Sequence, residues 1–324
     1  MSPIVDFDPD ELAIIRRENR ATLAGLPEQG LRPEDPAYLA GLRADTWWYE
    51  PRSEDAVDET LGGVRARIFD PGDVRAVYVR THGGGWVYGS YDAEDVYSWR
   101  LARQAGVVVV SVDYRLAPEH PWPAPTDDCE AVTRWVFDHG AERFGVAPIF
   151  IGGESSGAHL ALATALRLRD AGLELAGVNL VGGIYDLNGV PSVSQFEGPD
   201  PLGLSEAVVD WYSSCFMGDS ADPRDPDVSP LWARLQDLAP VLLSSGRCDP
   251  LIDNSLFLAG RLEQADVKCR LDLYPEALHG FEILNAIQAA RFHSRVAAWV
   301  SDSLACDAGD VDHVAGPDVV SELG

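Results

Sequence analysis

The stretch Pro148-Ile149-Phe150-Ile151-Gly152-Gly153-Glu154-Ser155-Ser156-Gly157-Ala158-His159-Leu160-Ala161-Leu162 decides the fold. Its first five residues read as a short apolar strand, and from Ser156 to Asp170 an Ala/Leu-rich segment reads as a helix. Between them lies Gly153-x-Ser155-x-Gly157. A strand that enters a helix through this sequence turns so sharply that the flanking positions must be small, and the serine hydroxyl projects from the sheet edge. The same residues would also suit a serine N-cap after a glycine turn, so the rest of the chain has to decide between a nucleophile and a cap.

Outward from this corner, β-branched runs alternate with helix-period segments, the pattern of a mostly parallel sheet flanked by helices. Strands are predicted over Val64–Phe69, Val74–Arg80, Val107–Val112, Gly177–Val181, Val241–Ser245 and Cys269–Tyr274. Val107–Val112 has no polar alternation, as expected of a strand covered on both faces. Helices are predicted over Thr126–His139, Asn254–Gln264 and Phe281–Ser303. Two regions break the alternation. Residues 1–50 read as one or two helices ending in Trp47-Trp48-Tyr49, and residues 187–239 are rich in Pro, Gly, Asp and aromatics, with a helix over Ser205–Phe216. Both read as excursions from the sheet, and residues 305–324 read as a disordered acidic tail.

Composition narrows the partners. The 324 residues can bury about 75% of their unfolded surface without a covalent staple. Twenty-five Lys and Arg stand against 52 Asp and Glu, a formal net charge of −27, and Lys268 is the single lysine. A surface this acidic repels phosphate backbones and anionic headgroups, which argues against nucleic acid and against a membrane as partner. The apolar run at Val107–Val112 is far shorter than the roughly 18 residues a span requires. The N-terminus carries neither a basic nor an apolar signal region, so the expected location is cytoplasmic. Five scattered cysteines without a C-x-x-C pair read as small hydrophobes, Cys248 included; no metal and no cofactor is expected.

The chemistry-bearing residues cluster at strand ends. His82-Gly83-Gly84-Gly85-Trp86 follows the strand ending at Arg80. Consecutive glycines let backbone N–H groups approach a substrate oxygen, and donors aimed at a developing oxyanion contribute about 2.7–4 kcal/mol each. Gly83 and Gly84, joined by the N–H of Ser156, are therefore the expected oxyanion hole, with His82 bracing the loop. A phosphate cradle is the competing reading of three glycines, but neither a lysine nor P-loop spacing accompanies them. Ser155 needs a base within hydrogen-bond reach. His159, His279, His293 and His313 follow it. His159 lies one turn along the same helix, His293 mid-helix and His313 in the tail. His279 sits on a loop after the strand ending at Tyr274, where it can reach over the sheet. The acid is expected after the preceding strand, at Asp249; Asp253 is the fallback, and its place near the next helix start also suits a capping or first-turn helix acid.

Taken together, His82-Gly83-Gly84-Gly85, Asp113-Tyr114-Arg115-Leu116-Ala117-Pro118-Glu119-His120, the Ser155 corner, Asp249-Pro250-Leu251 and His279-Gly280-Phe281 resemble the hormone-sensitive lipase-like branch of the α/β-hydrolases. The resemblance runs from about Val74 to Val300. It implies an eight-stranded, mostly parallel sheet in a catalytic domain over residues 51–304. It also implies a helical cap built from residues 1–50 and the 187–239 insertion, carboxylesterase activity on small or medium acyl esters, no cofactor, and a homodimer. The Asp113–His120 stretch looks like the branch's brace for the oxyanion loop. Where the branch has Gly-Asp-Ser-Ala-Gly-Gly, this chain has Gly153-Glu154-Ser155-Ser156-Gly157-Ala158, a change that bears on substrate preference. After Asp-Pro-Leu it carries Ile252-Asp253-Asn254 in place of a charged pair.

The expected enzyme is thus a serine esterase or deacetylase: Ser155 nucleophile, His279 base, Asp249 orienting acid, with Gly83, Gly84 and Ser156 at the oxyanion. Trp86, Tyr88, Glu154, Trp211, Tyr212, Phe216 and Leu251 are the expected lining of the substrate pocket. Two rivals stay open at this point. The same site could eliminate acetate from a bulky metabolite, or the chain could be a non-catalytic ligand receptor, a reading that the intact triad opposes.

Overall fold

The computed structural model describes residues 3–25, 33, 35–44, 49–197, 204–219 and 221–309. In chain order the elements are α1 (Pro9–Gly25), α2 (Tyr38–Ala44), β1 (Val57–Leu61), β2 (Val64–Phe69), β3 (Ala76–Thr81), α3 (Asp95–Ala105), β4 (Val107–Val112) and α4 (Ala124–Phe144). There follow β5 (Ile149–Glu154), α5 (Ser156–Asp170), β6 (Gly177–Val181), α6 (Pro191–Ser194), α7 (Glu206–Met217), β7 (Val241–Gly246), α8 (Ile252–Gln264), β8 (Cys269–Tyr274), α9 (Phe281–Leu284) and α10 (Ala286–Gly309). The eight strands form one sheet in the order β1-β2-β4-β3-β5-β6-β7-β8. Pairing is antiparallel at β1·β2 and β2·β4 and parallel from β4 to β8.

Alternation of side chains across the sheet explains the unpatterned apolar strands. In β4, Val108, Val110 and Val112 join the apolar layer beneath α4 and α5, whereas Val107 and Val109 join the layer beneath α3 and α10. Each is fully buried, and a buried valine contributes about 1.5–3 kcal/mol relative to an exposed one. Both sheet faces are therefore core, and the polar chemistry is displaced to the strand ends, where open parallel sheets hold their ligands.

The structure revises the sequence reading in four places. β1 and α3 were not anticipated. β1 is an edge strand with mostly exposed residues, so it lacks an apolar signature; α3 is held by the buried Asp95, whose carboxylate pairs with the buried Arg67 at 2.8 Å. The helix expected over Phe281–Ser303 is broken at Asn285, whose backbone is extended (φ −129°, ψ 117°). Its Oδ1 accepts the Gln288 N–H at 3.1 Å, restarting the helix as α10. α10 then continues to Gly309, past the expected start of the tail; residues 310–324, Trp47, Trp48 and His313 lie outside the described residues. No helix among the described residues is long and apolar enough to cross a membrane.

The N-terminal segment and the 187–239 segment pack onto the strand ends. Asn19 Nδ2 donates to the Glu276 carbonyl at 2.6 Å, and Asn285 Nδ2 donates to Glu18 at 3.0 Å. Arg43 on α2 donates to the carbonyls of Val87 and Ala117 and pairs with Glu119 at 2.7 Å. Tyr38 stands edge-on to Trp211 of α7, with ring centroids 5.0 Å apart.

Candidate active site

Register brings the first two motifs together. β3 and β5 are parallel neighbours with Arg80 opposite Gly152 and Thr81 opposite Gly153, so the strand leading into His82-Gly83-Gly84-Gly85 ends beside the strand leading into Ser155. At the corner Ser155 has φ 56° and ψ −121°, a conformation that costs a non-glycine residue about 1–3 kcal/mol. Its N–H is held by the Val181 carbonyl at 2.8 Å. Gly157 has to lack a side chain, because a Cβ there would lie 2.1 Å from the Thr81 carbonyl oxygen. Gly84 (φ 117°) is equally constrained, since its Cβ would lie 2.1 Å from the Tyr88 carbonyl oxygen. Gly83 lies against Ser155: a Cβ on it would sit 3.4 Å from Ser155 Cβ.

The expected base and acid come from the far half of the sheet. Asp249 follows β7 and His279 follows β8, and His279 Nδ1 lies 2.9 Å from Asp249 Oδ2, both side chains buried. The other carboxylate oxygen accepts the Leu251 N–H at 2.8 Å. Asp253, the alternative acid, is turned elsewhere: its Oδ2 accepts the Ser192 N–H of α6 at 2.8 Å. His159 is also spoken for. Its Nδ1 accepts from Trp86 Nε1 at 3.3 Å, its Nε2 lies 2.8 Å from the Val228 carbonyl oxygen, and burial pushes its pKa down to about 4. It ties α5 to the 187–239 segment as a neutral residue. His82 stacks on Tyr114 with centroids 4.2 Å apart, and Tyr114 donates to the His82 carbonyl at 2.8 Å. Burial also holds His82 neutral, with a pKa near about 4. Burial pushes the thiols of Cys129, Cys215, Cys248 and Cys269 upward, which suits small hydrophobes better than nucleophiles.

A cavity of about 100 Å³ opens where these groups meet. Among the described residues it is lined by Ser155, His279, Gly83, Gly84 and Ser156, and by Trp86, Tyr88, Glu154, Tyr212 and Leu251 from the expected pocket set. Two expected lining residues are not there. Phe216 is fully buried behind Trp86, stacked on it at 4.7 Å and edge-on to His159 at 5.0 Å. Trp211 points the other way around α7, against Tyr38. Helical geometry separates Trp211 from Tyr212, because neighbours one residue apart on a helix face different directions, whereas Phe216, one turn on from Tyr212, is covered by Trp86.

Sequence reading missed Glu94, Ile184, Leu204, Val209, Gly85, Gly280, Glu282, Ile283 and Leu284, which complete the described lining. Most are apolar and arrive from separate loops, so no local signal distinguished them from core. Glu282 did carry one: an acid three residues after the base in an otherwise apolar run.

Fold and strand-end constellation together define an α/β-hydrolase. The α/β-hydrolase fold family model matches residues 78–283, and the chain belongs to that family, in its hormone-sensitive lipase-like branch. It is 34% identical over 237 residues to the carboxylic ester hydrolase LipN of Mycobacterium tuberculosis, covering 70% of this chain and 62% of that protein. It is 36% identical over 225 residues to an ethyl acetate hydrolase of Pseudomonas putida, covering 67% and 70%. Among solved structures, a hormone-sensitive lipase from a metagenome library superposes with a TM-score of 0.77 at 28% identity, over 92% of this chain and all of that one.

Proposed function

We propose that the chain hydrolyses esters of small acyl groups through a Ser155–His279–Asp249 triad, with the N–H groups of Gly83, Gly84 and Ser156 as the oxyanion hole. The coarser statement, that it is a carboxylic ester hydrolase, follows from its family and from relatives of that activity. The observation that carries the finer reading is the convergence, in one cavity, of a strained, half-buried serine, a glycine loop against it and a histidine already oriented by a buried carboxylate.

In this reading Ser155 Oγ attacks the acyl carbonyl while His279 Nε2 accepts its proton. Asp249 holds the Nδ1–H, which fixes the tautomer in which Nε2 is the base, and stabilises the imidazolium. Negative charge moves onto the former carbonyl oxygen and meets preorganised N–H donors, including one at the first turn of α5, where the helix dipole favours an anion. Collapse of the tetrahedral intermediate expels the alcohol as His279 returns the proton. Water, deprotonated by the same histidine, then releases the acid from the acyl-serine. The relatives named ethyl acetate hydrolase and acetyl esterase favour a small acyl group such as acetyl.

Replacing Ser155 by Ala is expected to abolish turnover of p-nitrophenyl acetate and labelling by a fluorophosphonate probe. Turnover undiminished in that variant would refute the assignment. Reaction in oxygen-18 water is expected to place the label in the released acid; unlabelled acid would point to elimination.

A further inference from the structure

The wall of the cavity beside the base is acidic. Glu94, Glu154 and Glu282 all line it with Ser155 and His279, and none of the described lining residues is Arg or Lys. Two cations stand behind that wall: the exposed Arg100, across a second cavity from Glu282, and Arg80. Arg80 is fully buried; its Nη2 donates to Glu154 at 2.9 Å and also to Glu94, and its Nε lies 3.3 Å from the second Glu154 oxygen. A single guanidinium shared by two carboxylates leaves one negative charge over.

Glu282 adds to it. The break at Asn285 leaves Glu282 on the separate turn α9, where it is only 6% exposed and its Oε2 meets no hydrogen-bond partner. A buried carboxylate oxygen without a partner is costly, so a group of this kind marks either a neutral acid or a place for a counter-charge. Burial is the main cause that raises its pKa to about 7; a hydrogen bond from its own backbone N–H opposes the rise, Glu154 and Asp249 add to it and His279 opposes it. On its other side a second cavity shares Glu282 and is lined by Glu50, Tyr97, Arg100 and His293. His293 is kept neutral by burial, with a pKa near about 3.

We propose that the cavity selects esters whose alcohol half carries a positively charged nitrogen, with Glu282 as the specificity-determining counter-charge and Glu94 and Glu154 reinforcing the field. This rests on the serine-hydrolase reading above. The side of the cavity follows from the mechanism: His279 returns its proton to the leaving alcohol, so the alcohol lies on the His279 side, and Glu282 follows three residues after His279. An ammonium there holds Glu282 ionised, whereas an uncharged substrate gains nothing from it.

Acetylcholine and 3,3-dimethylbutyl acetate test this directly, because they share shape and acyl group and differ by one charge. At pH 8 and low ionic strength, kcat/KM for the cationic ester is expected to exceed that for the neutral one by about tenfold or more. The ratio is expected to fall below pH 7, as Glu282 takes up a proton, and to drop in Glu282→Gln. Equal handling of the two esters, preference for the neutral one, or a preference unchanged in Glu282→Gln overturns the proposal. So does cleavage of p-nitrophenyl acetate with neither member of the pair being turned over. Failure of the underlying reading has a different signature, namely that no ester, p-nitrophenyl acetate included, is cleaved in a Ser155-dependent way.

Discussion

Replacement of Asp249 by Asn separates orientation of the base from every other contribution to the site. The structure dictates how the amide would sit. Oδ1 of Asp249 accepts the Leu251 N–H at 2.8 Å, and a backbone donor requires an acceptor opposite it, so the Asn oxygen takes that place. The amide nitrogen then faces His279 Nδ1, 2.9 Å away in the native protein. Two donors cannot meet there, so Nδ1 gives up its hydrogen and accepts, and the proton moves to Nε2, the atom that should remove the Ser155 proton. The wrong tautomer costs serine hydrolases about 10⁴ in kcat, or about 5 kcal/mol of transition-state stabilisation. The assay is kcat and KM for p-nitrophenyl acetate, with far-UV circular dichroism and thermal melting to establish that the variant is folded. Fluorophosphonate labelling is expected to slow in parallel with kcat. As the companion, Asp253→Asn keeps an oxygen for the Ser192 N–H and is expected to stay within a few-fold of wild type. A folded Asp249→Asn enzyme that retains more than a tenth of the wild-type kcat would refute the triad as drawn, and a large loss in Asp253→Asn would do so as well.

Two further outcomes follow from burial. Gly157→Ala places a Cβ 2.1 Å from the Thr81 carbonyl oxygen, a backbone atom that cannot swing aside, so the corner or the β3–β5 pairing must distort; a loss of about 3 kcal/mol is expected in urea unfolding, and a midpoint unchanged from wild type would refute this packing. His82, His159 and His293 are held neutral by burial, with pKa values of about 4, 4 and 3, against about 6.5 in the unfolded chain. Between those values the unfolded chain binds protons that the native protein does not, so stability rises with pH through this window and is lost as pH falls from about 6.5 toward 4. The slope reaches up to about 4 kcal/mol per pH unit for the three together. Urea midpoints at pH 7.5 and pH 5.0 measure it, and equal midpoints would show that these rings are not buried as described.

Much of the site was legible in the chain because its chemistry is locally encoded. A strand-to-helix corner at Gly153–Gly157 needs small residues within a few positions, and a glycine loop needs its glycines in sequence, so both leave compact signatures. His279 and Asp249 were legible for a different reason. Each lies just after a predicted parallel strand, and the carboxyl ends of such strands converge on one edge. The helix break at Asn285 was not legible, since Asn285 starts a new helix by a side-chain bond that only the folded turn displays. β1 was missed because an edge strand facing solvent carries no apolar period.

What the sequence determined by itself was the inventory: a doubly covered sheet, a serine corner, a glycine loop, a histidine and an acid, all in an order that admits one fold. Tertiary structure decided what these groups share. Pairing of β3 with β5 laid Gly83 against Ser155, across 71 intervening residues of chain. The direction of each side chain around α7 put Tyr212 on the cavity and turned Trp211 away from it, while the ring of Trp86 covered Phe216. Packing of α9 against the sheet end gathered Glu94, Glu154 and Glu282 on one wall. The physical reason is range. Turns, caps and periodicity act over a few residues and are written into the chain, whereas the walls of a cavity are set by contacts between segments far apart in sequence.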